Sequence, residues 1–543
     1  MELVEIRDLD GPNLFLLEPA IKIEFSLSPE DAINHMIDRL RDLFKLELPI
    51  HRDAHELDAL DFMLGAAVRR LHATVGLTIP TAVCQPLETP NHFALAFGWS
   101  HRRAAMRIAR VIADIATGAD ELPIRFDGQI AELMASTAPD DRPLMMRDTE
   151  RRMPIVGVTG TNGKTTTTRL IAHILRGTGF SVGWSSSSGV YIDGELVLAG
   201  DYTGPSGARR VLDDEQVEVA VLETARGGIL LRGIAYESND VGVFTNVSAD
   251  HLDLQGIRTV EGLTKVKATV LRVTRPDGYA VLNADDELVR SVAKDVRAQV
   301  FFVSQDPSNV AVDAHVHTGG QALIARDQRV WHWQNGHATT LIDVAEIPIA
   351  YGGRARHMVE NALCAAAACL GLGRSAAEVR KGLASFKSDA AHNLGRLNLF
   401  DVDGVHVIVD FAHNEVGLRH LLALANDVKG PSGRIISIIG TAGDRTDEAL
   451  AAIGRLAGTA SDRVIIKETR KYLRGRSNNE ELNALYVNGL KDAASAPWSI
   501  ERDELSALEA AFAEAKVGDT IVLMCLEQIP DVQRILAERG GPI

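Results

Sequence analysis

The chain has 543 residues, too many for one hydrophobic core, and that length predicts about three domains of roughly 150 residues each. Its 46% hydrophobic and 24% charged residues are the composition of a globular protein, and a net charge of −16 argues against nucleic acid or an acidic membrane as a partner. The four cysteines are scattered without a CxxC pair, Met1 opens no secretory pattern, and no apolar run approaches ~20 residues, so a cytoplasmic enzyme with buried free thiols and small ligands is expected.

Residues 1–150 predict an α+β domain without evident chemistry. Two strand-like runs (Leu3, Val4, Ile6 and Ile21, Ile23, Phe25) flank the turn Leu9-Asp10-Gly11-Pro12-Asn13. Ser28, Pro29, Glu30 and Asp31 then read as a helix start: a capping hydroxyl, a pre-set φ, and acids against the positive helix end. Ile33, Met36, Ile37, Leu40, Leu43 and Phe44 follow at three/four spacing as one apolar face. A second helix is expected over 60–73 and a third from His101, where Arg102, Arg103, Arg107 and Arg110 crowd together. These arginines read as a solvated basic face, with docking of an acidic ligand or a partner subunit as the alternative. Residues 136–153 read as a linker.

At 154–169 the chain reads Pro-Ile-Val-Gly-Val-Thr-Gly-Thr-Asn-Gly-Lys-Thr-Thr-Thr-Thr-Arg, a strand, a glycine turn and a helix start. Gly160 and Gly163 let the backbone approach an anion, successive N–H groups point at phosphate oxygens, and Lys164 adds a full positive charge. Thr165 is then set to bring its hydroxyl to Mg²⁺. Further on, apolar and helical stretches alternate, predicting a mostly parallel sheet covered by helices, with polar residues at the carboxyl ends of its strands. Glu223 closes one such strand; Asn246, Asp250 and His251 follow the next; Asn283, Asp285 and Asp286 follow a third. Oxygen ligands suit Mg²⁺, so Thr165 and Glu223 fit a first ion and His251 a second.

Taken in order, Thr-Gly-Thr-Asn-Gly-Lys-Thr, Glu223, Asn-Val-Ser-Ala-Asp-His and Leu-Asn-Ala-Asp-Asp resemble the central domain of the Mur ligase superfamily. The resemblance implies a multi-domain α/β fold: an N-terminal α+β domain at 1–150, a central phosphate-loop sheet with helices on both faces at 151–395, and a Rossmann-like closing domain at 396–543. It implies an ATP-dependent ligase that joins a carboxylate to an amine through an acyl phosphate and releases ADP and phosphate. Gly160, Thr161, Asn162, Gly163, Lys164, Thr165 and Thr166 would hold the phosphates, Asn283 the adenine, Arg396 a phosphate and Asp410 the ribose, with Asn361 supporting the pocket. Two Mg²⁺ ions are implied on Thr165, Glu223 and His251, the second bridged by a carbamylated lysine. Lys265 and Lys267 compete for that role and, two apart on a helix, cannot share it; the ungapped match through Lys-Ala-Thr-Val-Leu-Arg-Val-Thr-Arg-Pro-Asp-Gly selects Lys267. For His413 a helix-start hydrogen bond and a catalytic role remain equally open.

Within the superfamily, Asp-Tyr-Thr-Gly-Pro from Asp201 and Leu-Glu-Thr-Ala-Arg-Gly-Gly-Ile-Leu from Leu222 resemble the Mur-like part of the cyanophycin synthetase family, as do the loops at Asp444 and Lys467. That resemblance implies Thr203 and Arg226 as holders of the carboxylate substrate. If the amine is arginine, its guanidinium needs carboxylates and its α-carboxylate an arginine, which Asp444, Glu448, Glu468 and Arg474 supply. The family's ATP-grasp domain does not intervene between the N-terminal and Mur-like parts, Phe411 stands where Tyr is usual, Ser185 to Ser188 replaces a threonine-rich loop, and Cys525-Leu526-Glu527 departs from the pattern. The expectation is a single-reaction ligase, homo-oligomeric by resemblance, joining an amine such as arginine to a carboxylate on a small molecule or short peptide. A weakly active scaffold subunit and an ATPase without ligation are the alternatives.

Overall fold

Ile155, Val156 and Val158 enter the glycine turn from the middle of a sheet covered on both faces, which is why that run is unbroken apolar sequence rather than an alternation. The computed structural model describes residues 1–27, 32–45, 56–119, 121–136, 138, 141–250, 252, 254–493 and 496–543. The helix start expected at Ser28, Pro29, Glu30 and Asp31 lies outside the described residues; the helix Ala32–Phe44 carries the buried Met36, Ile37, Leu40 and Phe44.

The strand Ile155–Thr159 is central to an eleven-stranded sheet. On one side it pairs with Asn239–Phe244, followed outward by Thr274–Asn283, Gln299–Ser304 and Gln321–Arg326; on the other it pairs with Val219–Glu223 and then Val182–Ser186. These seven run parallel, and antiparallel hairpins finish both edges. Helices Lys164–Arg176 and Arg356–Gly371 pack on one face, while Pro205–Leu212, Arg226–Leu231 and Val260–Arg272 cover the other. The carboxyl ends of the parallel strands therefore share one rim, and Glu223 and Asn283 are the last residues of theirs.

Residues from Asn398 onward form a seven-stranded sheet whose middle strands Arg463–Lys467, Ile435–Ile439, Thr520–Met524 and Val405–Asp410 are parallel. One apolar core runs from Val156 and Leu170 of the first sheet into Ile408, Leu418 and Ile439 of the second. The N-terminal sheet (Glu2–Leu9, Ala20–Ser26, His92–Gly98, Ala82–Pro86) is antiparallel and has its own core. Its early turn is a joint: Asp10 N donates to Arg232 O, Ile234 N to Pro12 O, and a Cβ on Gly11 would lie 1.9 Å from Ile234 O.

Two local expectations change. Where described, residues 136–153 are not a free linker: Arg151 pairs with Asp240 at 2.9 Å, Ser238 donates to Asp148 at 2.7 Å, and Met146 bridges to Tyr236. The arginines after His101 are engaged internally, Arg102 by Asp8, Arg103 by Asp141 at 2.9 Å and Arg107 by Gln129 at 3.0 Å, so the docking face is largely spent on the domain's own acids and amides. Cys364, Cys369 and Cys525 are buried free thiols and Cys84 is half-buried. Among the described residues no helix is long and apolar enough to cross a membrane.

Candidate active site

The turn needs its glycines for different reasons. Gly160 has φ +153°, and a Cβ there would lie 2.0 Å from Thr245 Oγ1; Gly163, just before the helix Lys164–Arg176, has φ +82° and would meet Asn361 Oδ1 at 2.1 Å. Asn361 thus packs directly under the loop. Thr161 N donates to Asn246 O at 2.8 Å and Asn162 N to Asn246 Oδ1 at 2.9 Å, so the neighbouring strand's exit loop holds the turn open.

Three charged side chains converge here. Lys164 Nζ donates to Thr161 O at 2.8 Å, Thr165 Oγ1 donates to Glu223 Oε2 at 2.9 Å, and Lys267 Nζ donates to Gly160 O at 2.6 Å. Burial pushes Lys164 below the usual ammonium range, against the pull of Glu223 and Asp250. It depresses Lys267 much further, with Lys164 adding repulsion. On the helix Val260–Arg272, Lys267 is buried under the loop while Lys265 is exposed, on the side of Glu88. The hydroxyl and carboxylate of Thr165 and Glu223 are hard oxygen donors in the pattern Mg²⁺ prefers. His251 lies outside the described residues.

The closing domain reaches back over this turn. Arg396 Nη2 lies 3.1 Å from Ser187 Oγ and 3.4 Å from Thr165 Oγ1, and its guanidinium covers the Phe411 ring at 4.4 Å. Asp410 accepts from Leu397 N at 2.7 Å; burial raises its pKa, opposed chiefly by Arg396. Thr166 is buried beside Asn393, whose Nδ2 is 3.5 Å from its hydroxyl, and Asn414 Nδ2 donates to Asn162 Oδ1 at 3.1 Å.

Next to this cluster, and near enough to act on Lys267, Arg226 begins the helix Arg226–Leu231, with Asp250, Asp444 and Arg445 as the charged groups acting on it. Burial lowers its pKa, and its buried Nη1 has no hydrogen-bond partner among the described residues, an arrangement that suits an anion. Thr203, whose hydroxyl donates to Asp201 at 2.7 Å, accepts from Ala225 N through its carbonyl, so it stands beside Arg226. Asp444 meets Arg474 at 3.0 Å and Arg445 at 3.1 Å; Arg445 also reaches Asp250 at 3.5 Å. His413 Nε2 lies 3.3 Å from Asp250 and its Nδ1 3.0 Å from Phe411 O, which gives that side chain a cross-domain contact. The other two predicted carboxylates stand apart: Glu468 accepts from Asn483 at 3.0 Å, and Glu448 is exposed in the first turn of the helix Asp447–Ala460. Beside Glu468, Lys467 is spent on a buried pair with Glu504 at 2.6 Å, and Glu504 also accepts from the amides of Leu526, Glu527 and Gln528.

Sequence reasoning assigned no role to Ser187, Glu360, Asn414 or Arg445. Glu360 and Arg445 are each adjacent to a residue it did single out, Asn361 and Asp444. Ser187 and Arg396 meet across 209 residues, and no local pattern announces such a contact.

Residues 158–369 match the Mur ligase middle domain, and residues 395–525 match the Mur ligase glutamate ligase domain. A cyanophycin synthetase of Crocosphaera subtropica is 37% identical over 77% of this chain and 50% of its own length; one of Synechocystis is 41% identical over 69% and 42%. The chain thus spans about half the length of the curated relatives it matches. Among solved structures, E. coli FolC in complex with DHPP and ADP superposes with a TM-score of 0.53 at 21% identity, over 71% of this chain and 89% of that one, a likeness of fold. The two matched segments together make up more than half of the 543 residues, and the chain belongs to the Mur ligase superfamily.

Proposed function

We propose that the protein is an ATP-dependent ligase that joins the amine of an amino acid to a carboxylate through an acyl phosphate. The observation that carries this reading is the convergence of Lys164, Glu223 with Thr165, and Lys267 on the single turn at 160–165. The start of the helix Lys164–Arg176 would face the triphosphate, and Lys164 would move from Thr161 O to its terminal oxygens. Thr165 and Glu223 would hold a Mg²⁺ ion, with His251 and Lys267 as holders of a second; the metal supplies charge neutralisation to the phosphates. Lys267, whose charged form burial disfavours, is assigned to take up CO₂, a C–N bond forming as one proton leaves, to give a carbamate. Asn283 is assigned to the base, Asp410 to the ribose and Arg396 to a phosphate.

In the reaction a substrate carboxylate oxygen attacks the γ-phosphorus and ADP leaves. The amine then attacks the acyl carbon and phosphate departs with that oxygen. Arg226, whose Nη1 has no partner among the described residues, and Thr203 are assigned to the carboxylate. Arginine is proposed as the amine because Asp444 already accepts a guanidinium from the half-exposed Arg474, which an incoming guanidinium can replace, freeing Arg474 for the α-carboxylate. Glu448 and Glu468 remain candidates to line its path.

The test is mass spectrometry of the protein incubated with ATP, Mg²⁺, a pool of amino acids and a pool of carboxylates that includes aspartate dipeptides and short poly-aspartate. A new mass of acid plus amine minus water, formed in step with ADP, is expected. ADP release without any such mass across the pools would replace the ligase with an ATPase.

A further inference from the structure

The N-terminal domain meets the central domain at two turns. The first, Asp10 to Pro12, rests on the residues that follow the helix Arg226–Leu231. The second joins the strands Ala82–Pro86 and His92–Gly98, and its Glu88 reaches the start of the helix Val260–Arg272. Glu88 Oε2 accepts from Arg258 N at 2.5 Å and from Thr259 N at 2.7 Å, while Oε1 accepts from the Thr259 hydroxyl at 2.7 Å. The fit is close: a Cβ on Gly262 would lie 1.8 Å from Glu88 Oε1, and one on Gly256 2.7 Å from Thr89 Oγ1.

Thr259 is the helix's own cap, its Oγ1 accepting from Gly262 N at 3.0 Å. A hydroxyl has one proton, and giving it to Glu88 turns the lone pairs toward the Gly262 N–H. The carboxylate also places a negative charge at the positive end of the helix. The segment that leads in is a single tight turn, Leu254–Gly256, with Gln255 at φ +53° and Gly256 at φ +73°, so the contacts with the other domain are what hold it. Lys267 lies about 12 Å further along the axis at the helical rise per residue, and its Nζ donates to Gly160 O at 2.6 Å. A helix bends little over that length, so where its first turn is held decides where Lys267 falls. The restraint works against a real pull, because a buried amine gains hydration when it leaves. We propose that Glu88 is a positioning residue: from the N-terminal domain it fixes the first turn of this helix and so keeps the Lys267 amine under the phosphate turn. The role of Lys267 in turnover rests on the ligase reading above, while the placement of its amine stands on these contacts.

The experiment is acetylation of the folded, full-length protein with acetic anhydride, with labelling at each lysine read by mass spectrometry. Lys267 is 4% exposed; Lys467, also 4% exposed and paired with Glu504 in the closing domain, is the control. Both should be protected in the wild type. In Glu88→Ala, Lys267 labelling is expected to rise about tenfold while Lys467 stays within about twofold, since a local opening exposes one and global unfolding exposes both. Glu88→Gln, whose amide oxygen still accepts from the two N–H groups, should keep Lys267 labelling within about threefold of the wild type. In turnover, Glu88→Ala is expected to lower kcat about tenfold by itself and less than about twofold when Lys267 is already alanine, because Glu88 acts through Lys267. Thr259→Val, which removes the bridging hydroxyl, repeats the labelling test should Glu88→Ala fail to fold. Lys267 that stays as protected as in the wild type, or that opens together with Lys467, overturns the proposal. Equal losses of kcat with and without Lys267 overturn the link to catalysis. Selective exposure of Lys267 in a protein whose wild type forms no amide supports the placement and overturns the ligase reading instead.

Discussion

At the phosphate turn the polar groups come from two helices and a strand end of the central domain and gather on the turn itself: Lys164 to Thr161 O, Lys267 to Gly160 O and Thr165 to Glu223. At the acceptor end Arg226 and Asp250 belong to the central domain, while His413, Asp444, Arg445 and Arg474 come from the closing domain; Asp250 meets His413 and Arg445 across the two units, and Asp444 pairs with Arg445 and Arg474 within its own. The first set is built within the central domain, with Arg396 and Asn414 of the closing domain reaching over it. The second exists only when the two domains are together. Mutations at the phosphate end are therefore expected to abolish turnover, and those at the acceptor end to alter substrate affinity.

The largest effect should come from Lys164→Ala, which removes a charge aimed at the phosphates; product formation is expected to fall by about 10²–10³-fold, with circular dichroism unchanged. Retained turnover would break the comparison at its stronger end. Next, Lys267→Ala should cost about 100-fold and recover in part when a short carboxylic acid such as formate fills the carbamate's place, while Lys265→Ala changes activity by less than about twofold. Rescue at Lys265 instead would reverse the assignment.

At the acceptor end, Arg226→Lys removes the planar fork that a carboxylate matches, so the KM for the carboxylate substrate is expected to rise about tenfold while the KM for ATP stays within about twofold. Equal changes in both constants would mean that the two ends are not separate. The smallest effect concerns the contact between the domains. His357, on the helix Arg356–Gly371, stacks on His420 of the helix Glu415–Val428 at 4.8 Å with the rings 1° from parallel. Burial lowers His357 from 6.5 to about 3, with His420 adding to it, and His420 is itself lowered by burial and by Arg419. Both depressions favour the neutral ring in the folded chain. Their stabilisation is full above pH 6.5 and is lost as pH falls toward 3, about 2 kcal/mol at pH 5 from His357 alone. The urea midpoint should drop accordingly between pH 7.5 and 5, and His357→Phe should flatten that dependence.

Much of this arrangement was legible in the chain. The turn at 160–165 is recognisable because its chemistry needs consecutive residues: glycines where a Cβ would collide, then a lysine and a hydroxyl at the helix start. The polar residues that end strands, Glu223 and Asn283, were equally visible because an apolar run stops at each. Spacing alone left Lys265 and Lys267 as competitors. Helix phase against a particular sheet separates them, burying one and exposing the other, and phase acquires meaning only once the sheet is present.

What the sequence determined by itself is the local order: an unbroken apolar strand, the anion-binding turn, the strand-end acids and the alternation that makes parallel sheets. What only the tertiary structure decided is which distant side chains meet. His413 and Asp250 are 163 residues apart, Asn414 and Asn162 are 252 apart, and Glu360 joins Asn246 across 114. The basic run after His101 shows the same limit, since its acids and amides, Asp8, Asp141 and Gln129, arrive from other elements. The physical reason is that backbone geometry and hydrophobic periodicity act over a few residues, whereas charge pairing and amide orientation depend on distance in space, which the chain acquires only by folding.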